Sequence, residues 1–226
     1  MKLIAIAAQL GMGKDVLADY LVQKLNEDAN WGKMGEWVSH KSWERSAFAG
    51  AVKDVFCDCF GVTRDFIEEW KRNPDAPPGF LKNIRKSLQF IGDGFRQIKD
   101  EIWIEIALRD ESKRVIISDS RYINEARAVR KKGGLMIMVY RPGFYNDDPN
   151  PSEAQIKPVI EWCVNTKKKD GPINFDVDLE SYQKTGLTEE IMSNYDFFIT
   201  NDGTIEDFYA KIDRFLIPWI KSQRDY

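Results

Sequence analysis

The first fifteen residues constrain the fold of this chain most. An apolar run, Leu3–Ala7, leads directly into the segment Ala8–Asp15 (AQLGMGKD), and a helical pattern follows. A buried strand, a glycine-containing turn and a helix in this order point backbone N–H groups at an anion, beside the positive end of the helix dipole. The sequence therefore predicts a phosphate-binding loop in which Lys14 reaches the β- and γ-phosphates of a nucleotide.

This loop departs at two positions from the common phosphate-loop pattern G-x-x-x-x-G-K-[ST]. Ala8 replaces the first glycine, and Asp15 replaces the hydroxyl residue that ligates magnesium. A carboxylate can hold a magnesium-bound water, so we interpret the second change as altered metal handling. The alternative is a glycine-rich turn at the end of an edge strand. The residues expected to hold the nucleotide are Gly11, Met12, Gly13, Lys14, Asp15 and Val16.

The composition favours small-molecule chemistry. With a net charge of −3 over 226 residues, the chain is not suited to coating duplex DNA, and we expect no stable nucleic-acid binding. Three cysteines are too few for a disulfide framework, which indicates a reducing compartment and predicts a cytoplasmic location. No apolar stretch is long enough to span a bilayer, so we expect a soluble protein without a membrane partner.

Strands and helices alternate along the chain. This alternation predicts a mainly parallel five-stranded sheet between helices, the three-layer α/β sandwich of the P-loop NTPase type. The last helix begins with Thr204–Asp207, which has the form of a capping box. The predicted strands are Leu3–Ala7, Ser46–Phe48, Val115–Ser118, Leu135–Tyr140 and Phe197–Thr200.

Two regions depart from this alternation within what we expect to be a single domain over residues 1–226. Residues 50–110 are largely helical, interrupted at Asn73–Gly79 by three prolines and a glycine, and are suited to a substrate-binding region. Residues 142–188 carry five prolines and read as an irregular segment. A connection of this length is unusual without a function, so we interpret it as a lid or a long surface insert.

Charged and polar residues follow the predicted strands where the strands end. In a parallel sheet these ends meet at one edge, where ligands bind. Asp119 can meet Mg²⁺ there or cap the next helix. Arg121 and Arg141 can bind phosphate oxygens, with a surface salt bridge as the alternative for Arg121. The turn Asn201-Asp202-Gly203 can read an adenine or simply connect two elements.

A helical segment between residues 85 and 96 carries a further candidate site. Arg85 and Gln89 are four residues apart and share a helix face, which suits them to a phosphate and a base edge. Solvated charges are the competing interpretation. The lone histidine, His40, has no carboxylate or nucleophile beside it in sequence, so we expect a structural role for it.

Taken in order, these motifs resemble the bacteriophage deoxynucleoside monophosphate kinases, a branch of the P-loop nucleoside monophosphate kinase-like proteins. In that family an aspartate likewise follows the loop lysine, as Asp15 follows Lys14. The resemblance covers most of the chain outside the two irregular inserts. Its segments are Gly13–Asp15, Ala49–Asp54, Leu88–Gly92 with Trp103, Asp119–Arg121, Glu125–Ala128, Val139–Gly143, Ser152–Ala154 and Ile199–Gly203.

The resemblance implies transfer of the γ-phosphoryl group of ATP to a deoxynucleoside monophosphate, with Mg²⁺. It implies Lys14, Arg121 and Arg141 as catalytic cations, and Asp15 and Asp119 as carboxylates that position hydrated magnesium. The adenine side would be held at Asn201, Asp202 and Gly203. The residues that would hold the acceptor are Lys53, Arg85, Gln89, Arg96, Trp103, Asp119 and Arg121.

Alternatives remain at this level. One is a related kinase that resembles dephospho-coenzyme A kinase and uses a hydroxyl acceptor; another is a nucleotide-binding protein without turnover. Departures from the family pattern are Ala8 in the loop and Asp93-Gly94 where a Thr-acidic pair is usual. One hydrophobic core explains the amphipathic surfaces, so a homodimer is compatible with the sequence but not required.

Overall fold

The structure, a computed structural model, describes residues 2–31, 42–144 and 151–223. The chain divides into two compact units. Unit 1 comprises Met1–Ser46 and Glu111–Tyr226, and unit 2 comprises Ala47–Asp110. His40 lies outside the described residues.

Strands and helices alternate in unit 1, whereas unit 2 is helical. In chain order the elements are β1 (Lys2–Ala7), α1 (Lys14–Trp31), β2 (Trp43–Ser46), α2 (Ala49–Phe60), α3 (Arg64–Trp70), α4 (Ile84–Ile98), α5 (Ile102–Ala107), β3 (Arg114–Ser120), α6 (Ile123–Lys131), β4 (Leu135–Tyr140), α7 (Pro151–Thr166), β5 (Gly171–Pro172), α8 (Phe175–Gln183), α9 (Glu189–Met192), β6 (Phe197–Thr200), α10 (Ile205–Lys211) and α11 (Ile217–Ser222).

The described strands of unit 1 form one sheet in the order β2-β3-β1-β4-β6-β5. All neighbouring strands are parallel except β5, which runs antiparallel to β6. The α/β class and the mainly parallel sheet are therefore confirmed, but the prediction of five strands is wrong. The sixth strand has two residues, Gly171 and Pro172, and so short a strand leaves no hydrophobic pattern in the sequence.

The strand register aligns the carboxyl ends of the central strands. Ala7 pairs with Ser120, and Tyr140 pairs with Thr200. After β1 the chain first builds β2 and β3 on one side of it and then crosses to β4 on the other side. Ligands of open α/β sheets bind outside the carboxyl ends of the strands at such a reversal, so the end of β1 is the expected place for a site.

The second predicted strand is misplaced. It lies at Trp43–Ser46 instead of Ser46–Phe48, and Phe48 immediately precedes α2. Only Trp43 is buried in this edge strand, while Glu44 and Arg45 are exposed. An edge strand with charged residues carries a weak apolar signal, and the nearby apolar pair Ala47-Phe48 suggested the wrong position.

The core of unit 1 lies between the sheet and its helices. All six residues of β4 and five of the six in β1 are buried, as expected for parallel strands covered on both faces. Helix α1 turns the predicted stripe of Leu17, Leu21 and Leu25 into this core. Apolar spacing of three to four residues therefore predicted this helix face correctly.

Much of the segment 142–188 is regular. Residues 151–166 form α7, whose buried apolar side chains include Ile156, Val159, Ile160 and Trp162. Helix α7 contacts β4, so this part of the segment belongs to the core of unit 1. The expectation of irregular structure is wrong here: a helix tolerates a proline in its first turn, as at Pro151, and α7 also continues through Pro158 in its interior. A lid function stays a prediction.

Unit 2 has its own small core, centred on Phe56, Ile67 and Ile84. The side chains of Thr63 and Asn83 cap the N-termini of α3 and α4 by accepting backbone N–H bonds. The proline-containing segment Asn73–Gly79 lies between these two helices, as the sequence predicts.

The last helix is interrupted by a π-helical turn at Ile212–Leu216. The predicted capping box at its start is confirmed, since Thr204 and Asp207 exchange hydrogen bonds. Pro218 would clash with the carbonyl of the residue four positions earlier in a regular helix, and the wider turn avoids this contact. Among the described residues, no helix is both long and apolar enough to cross a bilayer.

Candidate nucleotide-binding site

The predicted loop connects β1 to α1 at the carboxyl edge of the sheet. Met12 N–H donates to the carbonyl of Gln9 at 3.3 Å, which closes a tight turn. Gly11 and Gly13 have φ angles of +86° and +99°, a region that residues with a Cβ rarely adopt. The loop then enters the N-terminus of an 18-residue helix, whose dipole favours a bound anion.

Lys14, the first residue of α1, is only 8% exposed. Its Nζ lies 2.5 Å from Oδ2 of Asp15, which supplies the counter-charge that a largely buried ammonium needs. A cation held at the mouth of an anion-binding loop is the arrangement that phosphate recognition requires.

Arg45 is a site residue that the sequence analysis missed. From the edge strand β2 its guanidinium forms ion pairs with Asp15 and with Asp19, the latter at 2.8 Å. Its Nε donates to Ser118 Oγ at 3.2 Å. The carboxylate of Asp15 therefore lies between Lys14 and Arg45. The misplacement of β2 hid this residue, because Arg45 was not recognised as lying near the end of a strand.

Asn201 lies against the loop. Its Nδ2 donates to the carbonyl of Met12 at 3.1 Å, and its own N–H donates to the carbonyl of Tyr140 at 2.9 Å. A Cβ placed on Gly13 would lie 2.5 Å from this Nδ2. The geometry therefore gives Asn201 a role in holding the loop, in addition to the adenine contact that the sequence predicts.

The two residues after Asn201 have other partners. Asp202 forms an ion pair with Lys211. Gly203 packs against the carboxylate of Asp207, which caps α10. Lys211 also donates to Thr200 Oγ1 at 2.6 Å. These contacts fix the turn after β6, and the described contacts do not bring Asp202 or Gly203 onto the loop as they do Asn201.

Arg141 reaches the loop region through an aromatic ring. It follows β4, and its guanidinium carbon lies 5.9 Å from the ring centroid of Phe144. That ring lies against Gly11, where an added Cβ would be 2.6 Å from its Cζ. Phe144 is a second residue that the sequence analysis missed, since its position two residues beyond a Pro suggested only an irregular loop.

Arg121 is held at the same edge by two carboxylates. Its backbone N–H donates to Oε2 of Glu125 at 2.8 Å. Its Nη1 lies 2.8 Å from Oε1 of Glu153 in α7. The other oxygen of Glu153 accepts the N–H of Leu10 in the loop at 3.3 Å. Arg121 and the phosphate loop therefore share one buried carboxylate.

Asp119 is half-buried near the end of β3. The next residue, Ser120, pairs with Ala7, the last residue before the loop. This register brings Asp119 to the start of the loop, on the side of the sheet where β3 lies. Among the described residues, no group of three or more histidine, cysteine, aspartate or glutamate side chains could by itself hold a metal ion.

The candidate acceptor residues of unit 2 lie mainly on α4. Gln89 lines an open hollow of about 600 Å³ together with Lys82, Lys86 and Phe90. Nη1 of Arg96 lies 3.4 Å from Asp93 on the same helix. Arg85 is half-buried on the same helix.

Trp103 does not fit the direct substrate contact that the resemblance implied. It is 1% exposed, and its Nε1 donates to the carbonyl of Gly92 at 3.0 Å. Its ring also packs against Phe95 of α4. The side chain is therefore part of the packing between α4 and α5, where it fixes α4 and does not meet solvent.

Lys53 is paired with a carboxylate within unit 2. Its Nζ lies 2.8 Å from Oε1 of Glu68, which also pairs with Lys71. The hydrogen bond from Lys53, followed by that from Lys71, lowers the pKa of Glu68 to about 2. A depressed carboxyl pKa means that this stabilisation is present above the ordinary pKa of glutamate and is lost as pH falls towards 2.

We expect Lys53→Met to raise the pKa of Glu68 towards its ordinary value, because the stronger of its two hydrogen bonds is removed. The measurement is the side-chain carboxyl ¹³C shift of Glu68 as a function of pH. Lys82→Met, on the same unit, should leave that titration unchanged. An unaltered Glu68 pKa in Lys53→Met would contradict the pairing.

Comparison with known proteins finds a similar chain. No family model matches the chain. A protein of Acanthamoeba polyphaga mimivirus, described as "Putative deoxynucleotide monophosphate kinase", is 25% identical over 232 residues, which cover 94% of this chain and 94% of that protein. The chain is similar to a protein of this description over nearly its whole length. A bacteriophage origin stays a prediction.

Among solved structures, a dephospho-CoA kinase from Campylobacter jejuni aligns with 97% of this chain and 98% of its own. The sequence identity is 14% and the TM-score is 0.37.

Proposed function

We propose that this protein transfers the γ-phosphoryl group of ATP to a deoxynucleoside monophosphate, giving ADP and the diphosphate. The observation that carries the proposal is the largely buried Lys14, at the N-terminus of α1 and directly after a loop with two left-handed glycines. Support also comes from the similarity to the mimivirus protein over 94% of both chains.

In this proposal the loop and Lys14 bind the β- and γ-phosphates of ATP. Phosphoryl transfer spreads negative charge over the transferred oxygens, so cations and fixed N–H groups supply most of the catalysis. Arg121 and Arg141 are guanidinium groups at this edge of the sheet. Arg45 acts indirectly, because it binds Asp15 and thereby orients the carboxylate beside Lys14.

The residues present are compatible with Mg²⁺. This ion takes oxygen ligands and is commonly held by one or two carboxylates, retained waters and substrate phosphates. Asp119 lies near the start of the loop and Asp15 at its end, and we propose that these two carboxylates hold the ion through its waters. When bound, Mg²⁺ would neutralise charge on the ATP phosphates.

For the acceptor monophosphate we propose the cationic and amide side chains of unit 2. Arg85 and Arg96 on α4 would bind the phosphate, and Gln89 would face a base edge. Lys53 would exchange Glu68 for the acceptor phosphate. We further propose a cytoplasmic location; a homodimer is a possible assembly that the function does not require.

The test of this function is ADP formation with ATP and Mg²⁺ against a panel of deoxynucleoside monophosphates, their ribose counterparts and dephospho-coenzyme A. We expect turnover that depends on a deoxynucleoside monophosphate. Turnover with dephospho-coenzyme A alone would assign a hydroxyl acceptor instead. Binding of ATP without turnover on any acceptor would overturn the proposal in favour of a non-catalytic nucleotide-binding protein.

A further inference from the structure

Glu153, in the first turn of α7, is a buried carboxylate that touches the phosphate loop. The residue is 1% exposed. Oε1 lies 2.8 Å from Nη1 of Arg121, and Oε2 accepts the N–H of Leu10 at 3.3 Å. The backbone carbonyl of Glu153 accepts from Nε2 of Gln9 at 3.4 Å, and Gln9 is itself buried. Glu153 therefore contacts two consecutive loop residues, Gln9 and Leu10, and also Arg121.

Such a carboxylate is costly to bury and persists only where its partners compensate for lost water. Here Oε1 forms an ion pair with the guanidinium of Arg121 without accepting a hydrogen bond among the described residues, and Oε2 accepts a backbone N–H. Removing the Arg121 guanidinium would leave the buried charge of Glu153 uncompensated, and removing Glu153 would leave the N–H of Leu10 without its acceptor. The conformations of Glu153, Arg121 and Leu10 therefore depend on one another. Helix α7 packs on β4, and this packing fixes the position of the Glu153 backbone.

We propose that Glu153 is a positioning residue of the phosphate site. It holds Arg121 through one terminal nitrogen and holds the loop through Leu10, so that the arginine and the loop keep a fixed separation. Catalysis by fixed cations requires that they be in place before the reaction, and Glu153 supplies that constraint. The part of this proposal that concerns phosphoryl transfer rests on the proposed function.

A role for Glu153 as a competitor of phosphate predicts the opposite change in nucleotide affinity. If Glu153 instead competed with a phosphate for Arg121, removing its charge would free the arginine and tighten nucleotide binding. A positioning role predicts weaker binding and slower transfer. The two roles are therefore distinguished by whether nucleotide affinity falls or rises when the charge of Glu153 is removed.

The test uses Glu153→Gln in the full chain, with Glu161→Gln as the matched control. Glu161 lies on the same helix in an exposed, 3.9 Å ion pair with Lys157. We expect Glu153→Gln to weaken binding of a non-hydrolysable ATP analogue, measured by calorimetry, and to lower kcat, each about 10- to 100-fold. Glu161→Gln should match the wild type in both measurements.

A double-mutant cycle with Arg121→Gln distinguishes positioning from general structural support. If Glu153 acts through Arg121, the two substitutions are strongly non-additive, and Glu153→Gln costs little further binding once Arg121 is replaced. Glu153→Asp keeps the buried charge but shortens the side chain by one methylene. It should therefore fold and show an intermediate loss, which covers the case in which Glu153→Gln is unstable in thermal unfolding.

The binding measurement also separates this proposal from the proposed function. If the wild-type protein shows no turnover, the proposed function is overturned. The affinities of the single and double variants for the ATP analogue still decide the role of Glu153, because they do not depend on turnover. The role is overturned if Glu153→Gln and Glu153→Asp bind the analogue as the wild type does. It is also overturned if either binds more tightly or if their effects add fully to that of Arg121→Gln.

Discussion

Lys14→Ala should strongly lower the rate of phosphoryl transfer while leaving the chain folded. The ammonium is the cation at the mouth of the loop, and the loss of one such group commonly costs about 100- to 1,000-fold in kcat. Folding should survive because Asp15 keeps Arg45 as a partner after Lys14 is removed. The measurements are kcat/KM with ATP, Mg²⁺ and the best deoxynucleoside monophosphate, and a thermal unfolding curve.

The matched control is Lys24→Ala. Lys24 lies on the same helix and forms exposed ion pairs with Glu27 and Asp213 near 4 Å, which contribute little to stability. It should keep wild-type kcat/KM. Near-normal turnover in Lys14→Ala would show that the loop is not the phosphate site.

Gly13→Ala should lose ATP binding and also destabilise unit 1. Ala at φ +99° is strained, and its Cβ would lie 2.5 Å from Nδ2 of Asn201, which holds the loop through the Met12 carbonyl. Strain and the displaced side chain together should lower the free energy of unfolding by about 2 kcal/mol. Urea unfolding and calorimetry with an ATP analogue measure the two effects.

Gly133→Ala measures the cost in stability of placing a Cβ at a positive φ angle without any steric contact. Gly133 has φ +72°, and a Cβ there would meet no atom within 4 Å. Its substitution should cost about 1 kcal/mol of stability and leave ATP binding unchanged. If Gly13→Ala bound the analogue as tightly as Gly133→Ala does, the proposed contact between the loop and Asn201 would have no part in nucleotide binding.

The elements with strong local signals were predictable from the sequence. Strands Leu135–Tyr140 and Phe197–Thr200 have the predicted bounds, because buried parallel strands are uninterrupted apolar runs. The turn between β1 and α1 was also predictable, since glycines at left-handed φ angles and a lysine at a helix N-terminus are local features. Likewise the capping box at Thr204 depends on residues three positions apart.

The contacts that the sequence analysis missed join residues across long sequence separations. Arg45 meets Asp15 from another strand, and Glu153 meets Leu10 across 143 positions. No spacing rule links such residues, because sheet order and helix packing alone bring them together. Trp103 shows the converse: the family resemblance implied a ligand contact, whereas packing between two helices buries its indole.

By itself, then, the sequence determined the α/β class, the central strands and the glycine-containing turn after β1, since each depends on hydrophobic periodicity or on conformations that only certain residues adopt. The tertiary structure decided which charges surround that loop. Ion pairs such as Arg121 with Glu153 form only when separate elements have packed, because the energy of a buried charge depends on the partners that folding places within about 3 Å.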